Sequence, residues 1–347
     1  YHLESLFRSL QFALVDNACR EYLFLTDFFM VSGTAATDLF NAVMGKSIDV
    51  LSKLLHTQVS ESFDAVALLL CVHIACRYQT LMLKRDVAAL NRYWENVLEQ
   101  MLWPRFQAVL QMHIDSVRTA EPRPPEDTRP HYIVRRYAEF SAALVSVNHT
   151  LPDERVHQLL ARLQSEVEAF VVKLSSELKG RKEQLVFLIN NYDMLLNVLS
   201  ERSAEDSVES AGFRELLSAR SGEYVEVVLW PHFGPLLRLV KECESLIENG
   251  QTDMLARHRE QVHTVAKQFN AGWKKALEQI HQEVMRSFLN FKNGTNILQT
   301  ALTSVVQYYH RFHKLLTQPA FGNSPARSEL INIHHLMVEV KKYKPSF

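Results

Sequence analysis

The sequence predicts an all-α protein, and three observations carry that prediction. Glycine is scarce, at 10 of 347 residues, so few positions invite the backbone to turn sharply. Leu, Val, Glu, Gln and Arg are abundant, and all but Val sit comfortably in helices. Apolar residues also recur at spacings of three and four over long intervals without a breaker. A chain of this length exceeds what one core organises, so two or three packed units are expected.

The elements follow in order. Leu3 to about Met30 is rich in Leu and Phe, and Ser32-Gly33-Thr34 supplies a stop and a cap for a second helix running to about Leu55. Phe63 to Lys84 is apolar nearly all round, as a central bundle helix requires. Asp86 to about Thr119 carries Trp103-Pro104 inside it, where the missing proline donor predicts a kink or restart. Glu121 to Pro130 holds four prolines among charges and reads as a linker.

Val156, Leu160, Leu163, Val167, Phe170, Leu174 and Leu178 then form a heptad-like seam that Gly180 ends. Leu185, Ile189, Tyr192, Leu196 and Leu199 continue it in the next helix. Such seams read as internal bundle core, with a groove for a partner helix as the second reading. Ser203 to Ala211 reads as loop, and Trp230 to Pro235 as a break. Val262 to Phe291 and Leu298 to Leu316 carry two long stripes. Ser324-Pro325 starts a last helix with Leu330, Ile333, Met337 and Val340 as its apolar face. The count is about ten helices. The expected domains are 1–120, a first helical bundle, 121–130, a proline-rich linker, and 131–347, a second helical-rod region subdivided near 203–235.

Between the last two long stripes stands Asn290-Phe-Lys-Asn-Gly-Thr-Asn-Ile297, readable as a β-turn, a glycan acceptor or a helix corner. Helical periodicity on both flanks disfavours the turn. Gly294 suits the left-handed residue after one helix and Thr295 can cap the next, so a break there is favoured. The alternative is one helix running straight through, with Gly294 costing about 1 kcal/mol relative to alanine.

Composition excludes several classes. With 47% hydrophobic residues, 22% charged and a net charge of -1, the chain lacks the basic excess that coats nucleic acid. No uninterrupted apolar run approaches the roughly 20 residues of a membrane span, since Ala65–Ala75 is bounded by Asp64 and broken by His73. Cys19, Cys71, Cys76 and Cys243 form no CxxC pair, so neither a disulfide framework nor zinc is suggested and a reducing cytosol is expected. The start at Tyr1, without methionine or signal peptide, reads as a fragment of a longer chain.

Chemistry is hard to find. There is no glycine-rich phosphate loop, HExxH or GxSxG, so no catalytic residue, metal or cofactor is expected. His310 and His313 lie about one turn apart, and His334 and His335 follow, but no further ligand is fixed nearby. Glu166, Glu168, Glu177 and Glu183 sit among Lys and Arg as a solvated face. The sequons at Asn148 and Asn293 read as chance matches. Lys341, Lys342 and Lys344, with Tyr343 and Phe347, form the one candidate contact for a partner or membrane. Each lysine adds only about 1 kcal/mol near an anionic bilayer, and cation preference at a helix C-terminus explains the cluster equally well.

Several segments together are more specific than any motif. Phe12–Tyr22, Arg129–Tyr132, Gln184–Asp193, Val284–Phe288 with Asn293–Thr295, Tyr309–His313 and Glu329–Val338 resemble one family in consistent order. It is the vacuolar protein sorting-associated protein fifty-two family of GARP subunits. The resemblance implies an elongated stack of helical bundles, similar to the helical rods of multisubunit tethers. It also implies a non-catalytic subunit of the GARP and EARP complexes, peripheral on the cytosolic face of the trans-Golgi network and endosomes. The implied partners are sister subunits, bound mainly through an N-terminal region absent here, with a Golgi Rab-type GTPase and SNARE proteins. The chain itself is expected to be monomeric. Two other functional readings stand beside it, a small-GTPase effector module and, far behind, an all-α enzyme.

Overall fold

A computed structural model describes residues 2–121, 123, 125–202, 208–322 and 324–343. These residues form twelve α-helices with short 3-10 and π segments, and no strand occurs among them. The all-α expectation holds. Helix α1 (Leu3–Phe29) ends where Met30 takes a left-handed φ of 50° and Val31 N–H reaches Thr26 O at 3.2 Å, a Schellman-type stop. Helix α2 is Gly33–Glu61 and helix α3 is Ala65–Lys84. The carboxylate of Asp64 accepts from the Ala67 N–H at 3.0 Å and so fixes the start of α3.

By length and composition α3 is the one helix among the described residues apolar enough to cross a membrane. The sequence reading found no such run because Asp64 bounds Ala65–Ala75 and His73 breaks it. Here Leu68, Leu69, Cys71, Val72 and Ala75 are buried in a protein core instead.

The predicted disturbance at Pro104 is present and has a definite form. Helix α4 (Asn91–Glu95) widens into a π segment, Asn96–Leu102, before helix α5 (Trp103–Arg118) resumes. The Trp103 N–H bonds Leu98 O, five residues back, so one extra residue is accommodated just before the proline ring. Pro104 then sits in the first turn of α5, where its missing donor costs little.

Helices α6 (Tyr132–Asn148), α7 (Glu154–Ser176) and α8 (Arg181–Arg202) follow. The chain forms two compact units, each built from three stretches: 1–121, 136–170 and 198–209 in the first, 122–135, 171–197 and 210–347 in the second. The prolines had suggested contiguous blocks meeting at 121–130. The difference arises because Leu144, Val156, Leu159 and Leu160 join the core of α1, α3 and α5, returning α6 and much of α7 to the first unit. The seam of α7 buries Val156 through Leu174, while the helix stops at Ser176 and leaves Leu178 half-buried.

The second unit is organised by helix α9 (Val208–Glu248), α10 (Arg259–Ser287), α11 (Phe291–Leu315) and α12 (Ile333–Lys341). Of the loop expected at Ser203–Ala211, residues 203–207 lie outside the described residues and the rest is helix. The break expected at Trp230–Pro235 is also absent, because α9 runs through both prolines. Pro231 and Pro235 lie one turn apart on the exposed side, where water can reach the carbonyls that lose a donor. On the opposite side Val228, Leu229, Phe233, Leu236, Leu237 and Val240 are buried and hold the helix in place. The stripes of α10 and α11 face this core as read except for Phe291, which is exposed, and Phe269 and Tyr309 stack at 4.5 Å between ring centres.

The last helix starts later than predicted. Ser324-Pro325 opens only a 3-10 turn, and Asn332, accepting from the His334 N–H at 2.8 Å, caps α12. Starting there rotates the buried face to Leu336 and Val340 and leaves Met337 exposed.

The corner in Asn290–Ile297 exists but lies earlier than Gly294. Helix α10 stops at Ser287, Phe288 is extended, and the Asn290 side chain accepts from the Lys292 N–H at 3.0 Å to start α11. Gly294 is thus in the first turn of α11, with its N–H on Asn290 O at 2.9 Å. A Cβ there would meet the Phe288 Cβ at 3.4 Å, a contact the site accepts. Gly294→Ala is therefore expected to stabilise the protein by about 0.5–1 kcal/mol, read as a higher urea midpoint at unchanged slope. A left-handed Gly294 would give the opposite sign.

Candidate interaction surface

The lysine cluster emerges at the end of α12. Leu336 and Val340 pin the helix to the core, and the half-buried Tyr343 lies against His281 at 5.1 Å between ring centres. Burial, with Glu339 and Glu278 nearby, raises the Tyr343 phenol above its ordinary value. Lys341 and Lys342 are exposed, and Lys342 pairs with Glu339 at 2.8 Å, one turn back. Lys344 and Phe347 lie outside the described residues. The cluster therefore presents Lys341 to solvent and holds the Lys342 charge partly neutralised at a helix C-terminus.

The other sequence candidates are dispersed. His310, His313, His334 and His335 are all exposed, and no group of three metal-type side chains occurs among the described residues. Glu166 pairs with Arg118 at 2.7 Å, and Glu168 accepts from Gln164 at 2.9 Å. Glu183 folds back over Gly180, where an added Cβ would strike its carboxylate. These are solvated helix faces.

The buried thiols are poor nucleophiles. Burial pushes Cys71 up to about 12 and Cys243 up to about 11, so neither is a thiolate at neutral pH. Asn148 is equally unavailable to a glycan. Its Oδ1 accepts from the Asp153 N–H at 3.1 Å and its amide donates to Asp153 O at 3.4 Å, inside the first unit's fold. The Asn293 amide nitrogen is buried as well.

A cavity of about 580 Å³ in the second unit shows the same balance of charge. It is lined by Lys182, Glu183, His232, Glu283 and Arg286, and Lys182 meets Glu283 across it at 3.1 Å. The Lys182 and Glu283 charges thus satisfy each other within it.

The best organised polar group escaped the sequence reading. Asn190 donates to Thr128 O at 2.9 Å and to Ser287 O at 3.3 Å. Asn191 accepts from the His131 N–H at 2.8 Å and donates to Phe187 O at 2.7 Å. Asn290, beyond capping α11, donates to the Asp193 carboxylate at 2.9 Å. The available signal was two asparagines and an aspartate within the apolar run Leu185–Leu195. They clasp chain segments together and do not converge on a vacant space.

Burial raises the Asp193 carboxyl above its ordinary value, with Asn290 and Asn197 opposing the shift. A carboxyl raised in the folded state keeps its proton while the unfolded chain loses it. Stability therefore falls as pH rises from the ordinary value of 3.8 through the folded one, and the penalty persists at neutral pH. Asp193→Asn, which keeps an acceptor for Asn290, is expected to raise the neutral-pH urea midpoint. The gain should vanish when the same titration is repeated below the ordinary carboxyl range.

Comparison with known proteins supplies what the geometry leaves open. Residues 1–225 match the family described as Vps52, C-terminal. Proteins called vacuolar protein sorting-associated protein 52 homolog, from Canis lupus familiaris and Homo sapiens, are each 55% identical over 349 aligned residues, covering 100% of this chain and 48% of theirs. The Arabidopsis thaliana protein called vacuolar protein sorting-associated protein 52 A is 34% identical with the same coverage. The chain spans about half the length of these curated relatives.

Proposed function

The chain belongs to the Vps52 family, as the C-terminal part of a member, and from that premise we propose that it is a non-catalytic helical scaffold in a vesicle-tethering complex. The observation that carries the reading is the match over the whole chain to relatives whose names assign them to vacuolar protein sorting. The dispersal of titratable groups on solvated helix faces agrees with it, because a scaffold needs shape and surfaces more than converging chemistry. The finer reading is a GARP and EARP subunit that acts in endosome-to-trans-Golgi retrograde transport and endosomal recycling.

In that role the protein sits peripherally on the cytosolic face of the trans-Golgi network and endosomes. It joins sister subunits mainly through the part of the protein absent here and reads a Golgi Rab-type GTPase and SNARE proteins with its helical faces. Tethering then works by linking several weak contacts, each raising the effective concentration of the next.

Cells lacking the endogenous subunit test this reading. Full-length protein should return a recycling receptor to the trans-Golgi network, and a version without the region corresponding to residues 1–347 should not. Equal rescue by both would sink it.

Lys341 and Lys342, with Lys344, are the membrane-facing cations in this proposal. Reversing Lys341 and Lys342 to Glu should weaken flotation of the full-length subunit with phosphatidylserine vesicles by about 2 kcal/mol or more, roughly 30-fold, at low salt. The difference should shrink as salt screens the surface. Unchanged flotation would leave the lysines with only their helix-end role.

A further inference from the structure

Exposed apolar surface is concentrated at one end of the sequence. Of 23 large apolar side chains exposed among the described residues, twelve fall before residue 64. The densest group closes α1: Phe24, Phe28, Phe29 and Met30 are 56%, 66%, 52% and 92% exposed. The rings are ordered against one another, with Phe24 and Phe28 stacked at 5.4 Å and Phe29 edge-on to Phe28 at 5.0 Å. Monomeric surfaces scatter such residues singly, and a contiguous group marks something to be covered.

Two further features of α1 bear on what covers it. Positions 6, 10, 13, 17, 20, 24 and 28 recur at spacings of four and three and are exposed throughout, but Asn17 and Arg20 separate Leu6, Leu10 and Ala13 from Phe24 and Phe28, so the aromatic group stands at the end of a face with a polar middle. The helix also ends on a methionine in left-handed backbone, a place where glycine is the ordinary choice. Gly33, three residues on, has φ 62°, so a glycine was compatible with this corner and a long apolar side chain stands there instead.

We propose that the exposed group closing α1, Phe24, Phe28, Phe29 and Met30, is the docking surface for the part of the same protein that precedes Tyr1. The family match is to a C-terminal region, and the relatives carry about as much chain again. That chain enters through α1 itself, so its first segment is held at high effective concentration beside this helix. A segment folding back antiparallel must cover about 40 Å to reach Met30, the length of one helix matching α1. The side chains that meet Phe24, Phe28, Phe29 and Met30 would be apolar. The proposal takes from family membership only the existence of that segment, and it stands or falls independently of tethering.

The test uses the full-length subunit alone. Limited peroxide oxidation read by mass spectrometry compares Met30 with Met112 and Met337, which are 46% and 43% exposed. If the group is covered, Met30 should oxidise several-fold more slowly than both. In parallel, p-benzoylphenylalanine in place of Phe28 should crosslink to residues before Tyr1 of the same molecule. Met30 as the fastest-oxidising of the three would overturn the proposal. So would crosslinks only to a differently tagged second copy, or only within residues 1–347.

Discussion

The second unit depends on two asparagines buried in an apolar stretch of α8. A helix satisfies its own backbone except at its ends, and an irregular segment satisfies almost none. Asn190 spends both amide hydrogens on such orphans, the Thr128 carbonyl in the proline-rich segment and the Ser287 carbonyl at the end of α10. Asn191 accepts from the His131 backbone just before α6 begins. One turn of one helix thereby completes two pieces of chain far apart in sequence, the segment 128–131 and the end of α10. Hydrophobic side chains at these positions would bury more apolar area and leave those backbone groups without partners, at about 1–3 kcal/mol each.

The same accounting extends to the prolines. At Trp103-Pro104 the neighbours Trp103 and Phe106 are in the core, while Pro104 and the residue four back, Gln100, are exposed. The helix widens by one residue and keeps its bonds inside the π segment. At Pro231 and Pro235 the lost bonds face solvent, and the buried side of α9 is dense with Leu, Val and Phe. There the helix continues. All three prolines stand on the exposed side of their helices, where a missing donor disturbs the ladder without ending the element.

What the sequence made legible follows from this. Stripes such as Val262–Val284 and Leu298–Leu316 are set by apolar periodicity alone, and they pack as read. Boundaries were less legible because they rest on single side-chain bonds. The corner after α10 was read at Gly294, the residue most permissive of a turn, whereas Asn290 places it earlier by capping α11 and gripping Asp193 together. The clasp was illegible for a related reason. Asn190 and Asn191 look like interruptions of an apolar run until the carbonyls they serve, 62 and 97 residues away for Asn190, are in place.

The surface chemistry can be weighed by the same criterion of satisfaction. Lys182 answers Glu283, Arg118 answers Glu166, and Lys342 answers Glu339, so much of the charge on these helices is spent locally. Catalysis requires the opposite, groups held out of balance until a substrate completes them. The exposed aromatic group that closes α1 is of another kind, and an open apolar face is satisfied by more protein or by lipid. An apolar face left open in this way is suited to joining another surface, which agrees with the scaffold role proposed above.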